Sequence, residues 1–99
     1  MSEKTVINLM NQYDETLDLY THAIKRAHGD HHPEVFEIRE LFETMRQKIT
    51  NVAEGQLYLN EEFNRLRTIT HDYSVPDDVC QTYEKTVEML SELDRIYYE

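Results

Sequence analysis

Apolar residues recur every three or four positions along most of the chain, which is the spacing of one face of an α-helix. The longest such stretch runs from Pro33 to about His71, and its face carries nine apolar residues and one glutamine. Proline suits the first turn of a helix, and no further proline follows before Pro76. The pattern therefore predicts one continuous helix over about 34–71, roughly 57 Å long at 1.5 Å per residue. We call this face the seam; its residues are Val35, Ile38, Phe42, Met45, Ile49, Val52, Gln56, Leu59, Phe63 and Leu66.

Two shorter helices flank the predicted long helix. The first is expected over about 4–28, ending before Gly29, because glycine is the usual residue just past a helix C-terminus. The last is expected over about 76–98, because proline starts helices well and acidic residues follow it in the first turn. The whole chain, 1–99, is predicted to be a single helical domain.

The long seam implies a partner, since two short helices cannot cover a rod of this length. We therefore predict an all-α chain of three helices that forms an antiparallel homodimer, with the seam residues at the dimer interface. The alternative is a single-chain helical bundle with a turn near Gly55, where glycine costs a helix up to about 1 kcal/mol relative to alanine.

Composition narrows the possible partners. Twenty acidic residues against 10 basic ones give a net charge of −10. Such a surface repels nucleic acid and anionic lipid, so neither is expected as a partner. The lone Cys80 cannot form an internal disulfide and fits a reducing compartment. No stretch is apolar enough for a membrane span or a signal peptide, so we expect a cytoplasmic protein.

Candidate chemistry lies in the predicted connectors. His28, His31 and His32 are close in sequence, but neighbouring loop residues rarely enclose a metal without help, so solvated or capping roles are expected for them and for His71. Cys80 is expected to be inert, with a reactive thiol near a helix N-terminus as the alternative. No nucleophile–base–acid set, phosphate loop or zinc spacing is present. The sequence gives no support for catalysis, a metal or a cofactor.

Two segments carry a family resemblance. One is His-Gly-Asp-His-His-Pro-Glu at 28–34, leading into Ile-Arg-Glu-Leu-Phe at 38–42. The other is Leu-Arg-Thr-Ile-Thr-His-Asp-Tyr-Ser-Val-Pro-Asp-Asp-Val-Cys-Gln-Thr-Tyr at 66–83. They resemble the helix connectors of the hemerythrin-like di-iron proteins that repair iron–sulfur clusters, the RIC family. Members of that family hold iron with histidine and glutamate side chains inside a four-helix bundle.

The resemblance implies that the iron ligands are missing. Counted without gaps from the two segments, the family's ligand positions fall on Ile7, on Val52, twice on Gln56, and beyond Glu99. The double assignment to Gln56 implies that the family's loop between its second and third helices is absent here. Two chains would then form swapped hemerythrin-like four-helix bundles, with Gln56 near the twofold axis.

These expectations lead to two functional hypotheses. The first is a metal-free, dimeric protein-interaction or regulatory module with an unidentified protein partner. The alternative is an iron-binding stress-response protein related to iron–sulfur cluster repair, using non-family ligands such as His28, His31, His32 and His71.

Overall fold

The described part of the chain forms four helices. A computed structural model describes residues 3–53 and 55–99. Helix α1 spans Glu3–His28, α2 spans Glu34–Asn51, α3 spans Asn60–Ile69 and α4 spans Gln81–Tyr98. No strand occurs within these residues, so the predicted all-α class is confirmed.

Helices α2 and α3 run antiparallel, as two ion pairs demonstrate. Glu37 in the first turn of α2 pairs with Arg65 in the second half of α3, whereas Lys48 near the end of α2 pairs with Glu62 in the first turn of α3. The chain therefore reverses direction between the two helices. The prediction of one continuous helix over 34–71 was wrong, and the alternative with a turn near Gly55 describes the structure.

The chain reverses between Val52 and Leu59, and we call the described residues of this stretch, 52–53 and 55–59, the link. Val52 ends α2 in an extended conformation (φ −77°, ψ 139°), and Gly55 has a φ of 81°, which favours glycine. Leu57 and Leu59 of the link are buried, so the fold-back adds to the core instead of exposing apolar surface. Covering the seam within one chain costs only the closure of a short loop, whereas covering it with a second chain costs translational and rotational freedom. This cost explains why periodicity alone misassigned the link.

The remaining helices complete an up-down-up-down bundle. Helix α1 is antiparallel to α2, since Asp14 pairs with Arg46 while the later Asp18 pairs with the earlier Arg39. Helix α1 is also antiparallel to α4, since Tyr13 hydrogen-bonds to Glu92 while the end of α1 at His28 contacts the start of α4 at Cys80. The bundle measures 40 × 22 × 18 Å. The turn between α1 and α2 depends on Gly29, because a Cβ there would lie 2.7 Å from the carbonyl oxygen of Lys25.

Most seam residues lie in the core of a single chain. Seven of the ten are at most 1% exposed, Ile49 and Val52 are half-buried, and Gln56 is exposed on the link. The surface that the sequence assigned to a dimer interface is thus covered by the chain's own helices in this structure. Homodimerisation itself stays a prediction. The seven fully buried seam residues are Val35, Ile38, Phe42, Met45, Leu59, Phe63 and Leu66.

The connector between α3 and α4 is longer than predicted. Helix α4 begins at Gln81, so the predicted start near Pro76 was wrong. The chain passes through three consecutive residues with positive φ, 71–73, and the hydroxyl of Thr70 accepts the backbone N–H of Tyr73 at 2.8 Å. Cys80 is still extended (φ −84°, ψ 171°) and serves as the N-cap residue of α4. Residues 78–80, where the proline suggested a helix, are instead held by the turn between α1 and α2, since Asp78 contacts His32 and the N–H of Cys80 donates to His28.

The exterior of the described chain is mainly polar. Its exposed large apolar side chains belong to separate elements, for example Leu19 on α1, Tyr58 on the link and Tyr98 at the end of α4. None of the described helices combines the length and hydropathy needed to cross a bilayer.

Candidate functional site: a cysteine and histidine cluster at one end of the bundle

The two connectors at one end of the bundle meet, and they bring a thiol against an imidazole. Nε2 of His28, the last residue of α1, lies 3.1 Å from Sγ of Cys80. The backbone N–H of Cys80 also donates to Nε2, at 3.4 Å. Cys80 is exposed, so a reagent in solution can reach the sulfur. A neutral imidazole placed there can take the thiol proton and leave a nucleophilic thiolate.

A second histidine ties the connectors together. Nε2 of His32 lies 2.9 Å from a carboxylate oxygen of Asp78, and its Nδ1 lies 3.3 Å from a carboxylate oxygen of Glu34. The hydrogen bond with His32 lowers the pKa of Asp78 below its ordinary value. In the imidazolium form, His32 can donate to both carboxylates at once.

Tyr83 packs beneath His28 and His32. Its ring packs edge-on against His28 and His32, with ring centroids 5.9 and 6.0 Å apart. Its hydroxyl donates to Glu34 at 2.6 Å. Burial of the ring, followed by this hydrogen bond, raises the pKa of Tyr83 well above its ordinary value. Tyr83 therefore stays protonated and holds the two histidines in place from the first turn of α4.

The structure brings together only part of the histidine set considered from the sequence. His28 and His32 are neighbours, with ring centroids 6.2 Å apart, whereas His31 is exposed on the turn. His71 lines a groove together with Glu34 and Tyr83. Among residues 3–53 and 55–99, no group of three or more histidine, cysteine, aspartate or glutamate side chains is arranged to hold a metal ion.

The positions that the resemblance assigned to iron ligands lie at the opposite end of the bundle. Ile7 is half-buried on α1, while Val52 and Gln56 lie on the link. At this end the carboxylate of Glu3 binds the link. One oxygen accepts a hydrogen bond from the N–H of Gly55 and the other from the N–H of Leu57, both at 3.0 Å.

The end of α4 also holds the link. The hydroxyl of Tyr97 accepts the N–H of Leu59 at 3.0 Å and donates to the side chain of Asn60. Tyr97 is buried, while Tyr98 is exposed and its ring lies under the guanidinium of Arg67, 4.9 Å from it. Tyr98 is therefore the more accessible of these two tyrosines.

Sequence reasoning missed the buried charges. Arg39, Glu62 and Asp94 are all at most 7% exposed. The sequence did indicate that two of them face inward. Glu62 lies three residues after Leu59 and Asp94 lies four residues after Leu90, and residues at these spacings share one face of a helix. One guanidinium nitrogen of Arg39 is satisfied by three acceptors: the backbone and side chain of Asp18, at 3.1 and 2.7 Å, and the hydroxyl of Thr21, at 2.9 Å.

Comparison of the chain with protein-family models, with curated proteins and with solved structures finds no match.

Proposed function

We propose that this protein is a metal-free, hemerythrin-like helical bundle that acts as a protein-interaction or regulatory module. The observation that carries the proposal is the chemistry at the end of the bundle where the resemblance places the iron. Ile7 and Val52 offer no donor atom there, and the amide of Gln56 is exposed on the link. A di-iron site requires several converging histidine and carboxylate ligands.

The contacts of Glu3 support the same conclusion. The carboxylate of Glu3, on α1, accepts hydrogen bonds from two backbone N–H groups of the link, one on each oxygen. Such charge-assisted hydrogen bonds are strong enough to hold helix ends together without a metal. The bundle thus has a protein-only means of closing this end.

Metal analysis tests the proposal. The protein is purified without chelator, incubated anaerobically with ferrous iron, exposed to air and desalted. We expect iron well below one atom per chain and no absorption band of an oxo-bridged pair. Two iron atoms per chain with such a band would overturn the proposal.

The module is further proposed to work as a homodimer in which two copies exchange their α3–α4 halves. The unbroken seven-residue spacing from Val52 to Leu59 to Leu66 supports it, because the same seam can be covered by either copy. Light scattering after gel filtration tests it. A mass near twice 11.9 kDa is expected, and a mass of 11.9 kDa throughout a micromolar concentration series would contradict it.

One observation favours the alternative of an iron-binding stress-response protein. At the connector end His28 contacts Cys80 and His32 contacts Asp78, which places two pairs of possible iron ligands near each other, although no three of the described side chains are arranged to hold a metal ion. This alternative predicts iron binding that is lost in His28→Ala and His32→Ala but retained in His22→Ala, an exposed histidine within α1. A wild-type protein that stays free of iron would exclude it.

A further inference from the structure

We propose that the link is a two-state hinge that Glu3 holds shut. In the closed state the link folds back and α3 packs on α2 of the same chain. In the open state the link becomes helical, joins α2 to α3, and lets α3–α4 pack on α1–α2 of a second copy. The inference rests on the homodimer proposed above, and it adds the segment that changes conformation and the contacts that oppose the change.

The seam provides the reason why both states are available. Val52, Leu59 and Leu66 are each seven residues apart, so a helical link would keep all three on one face. The ion pairs of Glu37 with Arg65 and of Lys48 with Glu62 would form between copies with unchanged partners. Because the core outside the link and these pairs are the same in both states, the balance is decided by the link and the protein concentration.

Three link amides are held by side chains only in the closed state. The N–H groups of Gly55 and Leu57 donate to the carboxylate of Glu3, and the N–H of Leu59 donates to the hydroxyl of Tyr97, each at 3.0 Å. In a helix each of these amides would instead donate to a carbonyl four residues earlier. The amides are therefore satisfied in both states, but the bonds to Glu3 belong to the closed state alone. Glu3 acts as a latch.

Gly55 allows an opposing pair of variants to be designed. Its φ of 81° is needed only in the closed link, and among the described residues other than its chain neighbours no atom lies within 4 Å of where a Cβ would be. Gly55→Ala therefore strains the closed link through its backbone without a steric clash, and it also favours a helical link, since alanine is the better helix former. Both effects act toward the open state.

Ala53→Pro acts in the other direction. Val52 has a ψ of 139°, which is the conformation that a following proline requires. The closed link therefore meets the requirement that proline at 53 places on the preceding residue, whereas a proline at 53 would interrupt the interior of a joined α2–α3 helix. The double variant Ala53→Pro/Gly55→Ala carries the strain of the alanine but cannot open.

The experiment measures dimer association constants by sedimentation equilibrium, with circular dichroism of each species. We expect Gly55→Ala to raise the association constant about tenfold or more, with more helix per residue in the dimer than in the monomer. Ala53→Pro and the double variant should be monomeric where wild type is half dimeric. Glu3→Gln should raise the constant several-fold, whereas Glu15→Gln, an exposed and charge-matched change on α1, should leave it unchanged.

The outcomes separate the hinge from the homodimer. If Ala53→Pro folds and dimerises as well as wild type, the homodimer stands and the hinge is overturned. If wild type is monomeric while Gly55→Ala forms a dimer that Ala53→Pro abolishes, the hinge stands and the wild-type homodimer falls. If an alanine or proline variant fails to fold, Glu3→Gln decides: no gain in dimer over Glu15→Gln overturns the latch.

Discussion

Arg67 donates two hydrogen bonds to the carboxylate of Asp94, from Nε at 2.8 Å and from Nη2 at 2.5 Å. This carboxylate is 5% exposed, and the pair joins α3 to α4. The hydroxyl of Tyr73 donates to the same carboxylate at 2.6 Å, so the long connector is anchored by the same group. Three elements thus depend on one buried charge. Buried carboxylates are tolerated only when they are paired and hydrogen-bonded in this way.

Removing the cation should cost considerable stability. In Arg67→Met, Asp94 keeps only the bond from Tyr73, and we expect the free energy of unfolding in urea to fall by about 2–3 kcal/mol, less than for a fully buried pair because Arg67 is 40% exposed. Arg95→Met is the matched control: its pair with Glu99 is 60% exposed on both sides, so the change should stay within about 0.5 kcal/mol. Equal losses in the two variants would refute a structural role for Asp94.

The pair of Lys48 with Glu62 should respond differently to single and double substitution. One oxygen of Glu62 meets Lys48 Nζ at 2.8 Å, and the other, fully buried, has no hydrogen-bond partner within the described chain. Lys48→Met leaves a buried carboxylate unpaired and should destabilise the protein by about 1–3 kcal/mol. Lys48→Met/Glu62→Met replaces both charges with apolar groups and should recover most of that loss or exceed wild-type stability. Urea unfolding of all four proteins completes the cycle; a double variant less stable than Lys48→Met would contradict the argument.

The contact between His28 and Cys80 predicts a difference in thiol reactivity. His28→Ala removes the base 3.1 Å from Sγ, so alkylation of the folded protein by iodoacetamide at pH 7 should slow by roughly tenfold. His22→Ala, on the same helix, should react like wild type. Cys80 is the only cysteine, so mass spectrometry counts the product directly. An unchanged rate in His28→Ala would mean that the imidazole does not activate the thiol.

Stability should fall in acid through carboxylates paired with arginine. The hydrogen bond from Arg39 lowers the pKa of Asp18 below its ordinary value of 3.8, and Arg65 likewise lowers the pKa of Glu37. A lowered pKa in the folded state adds stability above the unfolded value, and this stability is lost as the pH falls through the folded value. We therefore expect the free energy of unfolding to decline below about pH 4.

Arg65→Met tests the expected loss of stability in acid with little change to the core, since Arg65 is half exposed. Without its partner, Glu37 should return toward its ordinary pKa, and the slope of unfolding free energy between about pH 2 and 4 should become shallower than in wild type. Lys85→Met, an exposed cation on α4, controls for net charge. A slope that changes equally in both variants would show that overall charge, not the pair, causes the acid sensitivity.

Local pattern was enough to establish the helical class and the inward faces. Along α1, the spacing of Val6, Met10, Leu17 and Ile24 places them on one stripe, and the structure buries all four. The seam likewise supplied most of the apolar core contributed by α2 and α3. These features follow from the periodicity of apolar side chains. Because that periodicity relates residues only three or four positions apart, it can be recognised in the sequence alone.

The path of the chain between the helices was decided only by tertiary contacts. A seven-residue spacing from Val52 to Leu59 is satisfied equally by a straight helix and by a fold-back, and the closed link is selected by the carboxylate of Glu3, 52 residues away from Gly55. The encounter of His28 with Cys80 spans the same separation and is set by how two connectors meet in space. Periodicity records which side of a helix is buried, whereas the partner that buries it depends on contacts between residues far apart in the chain.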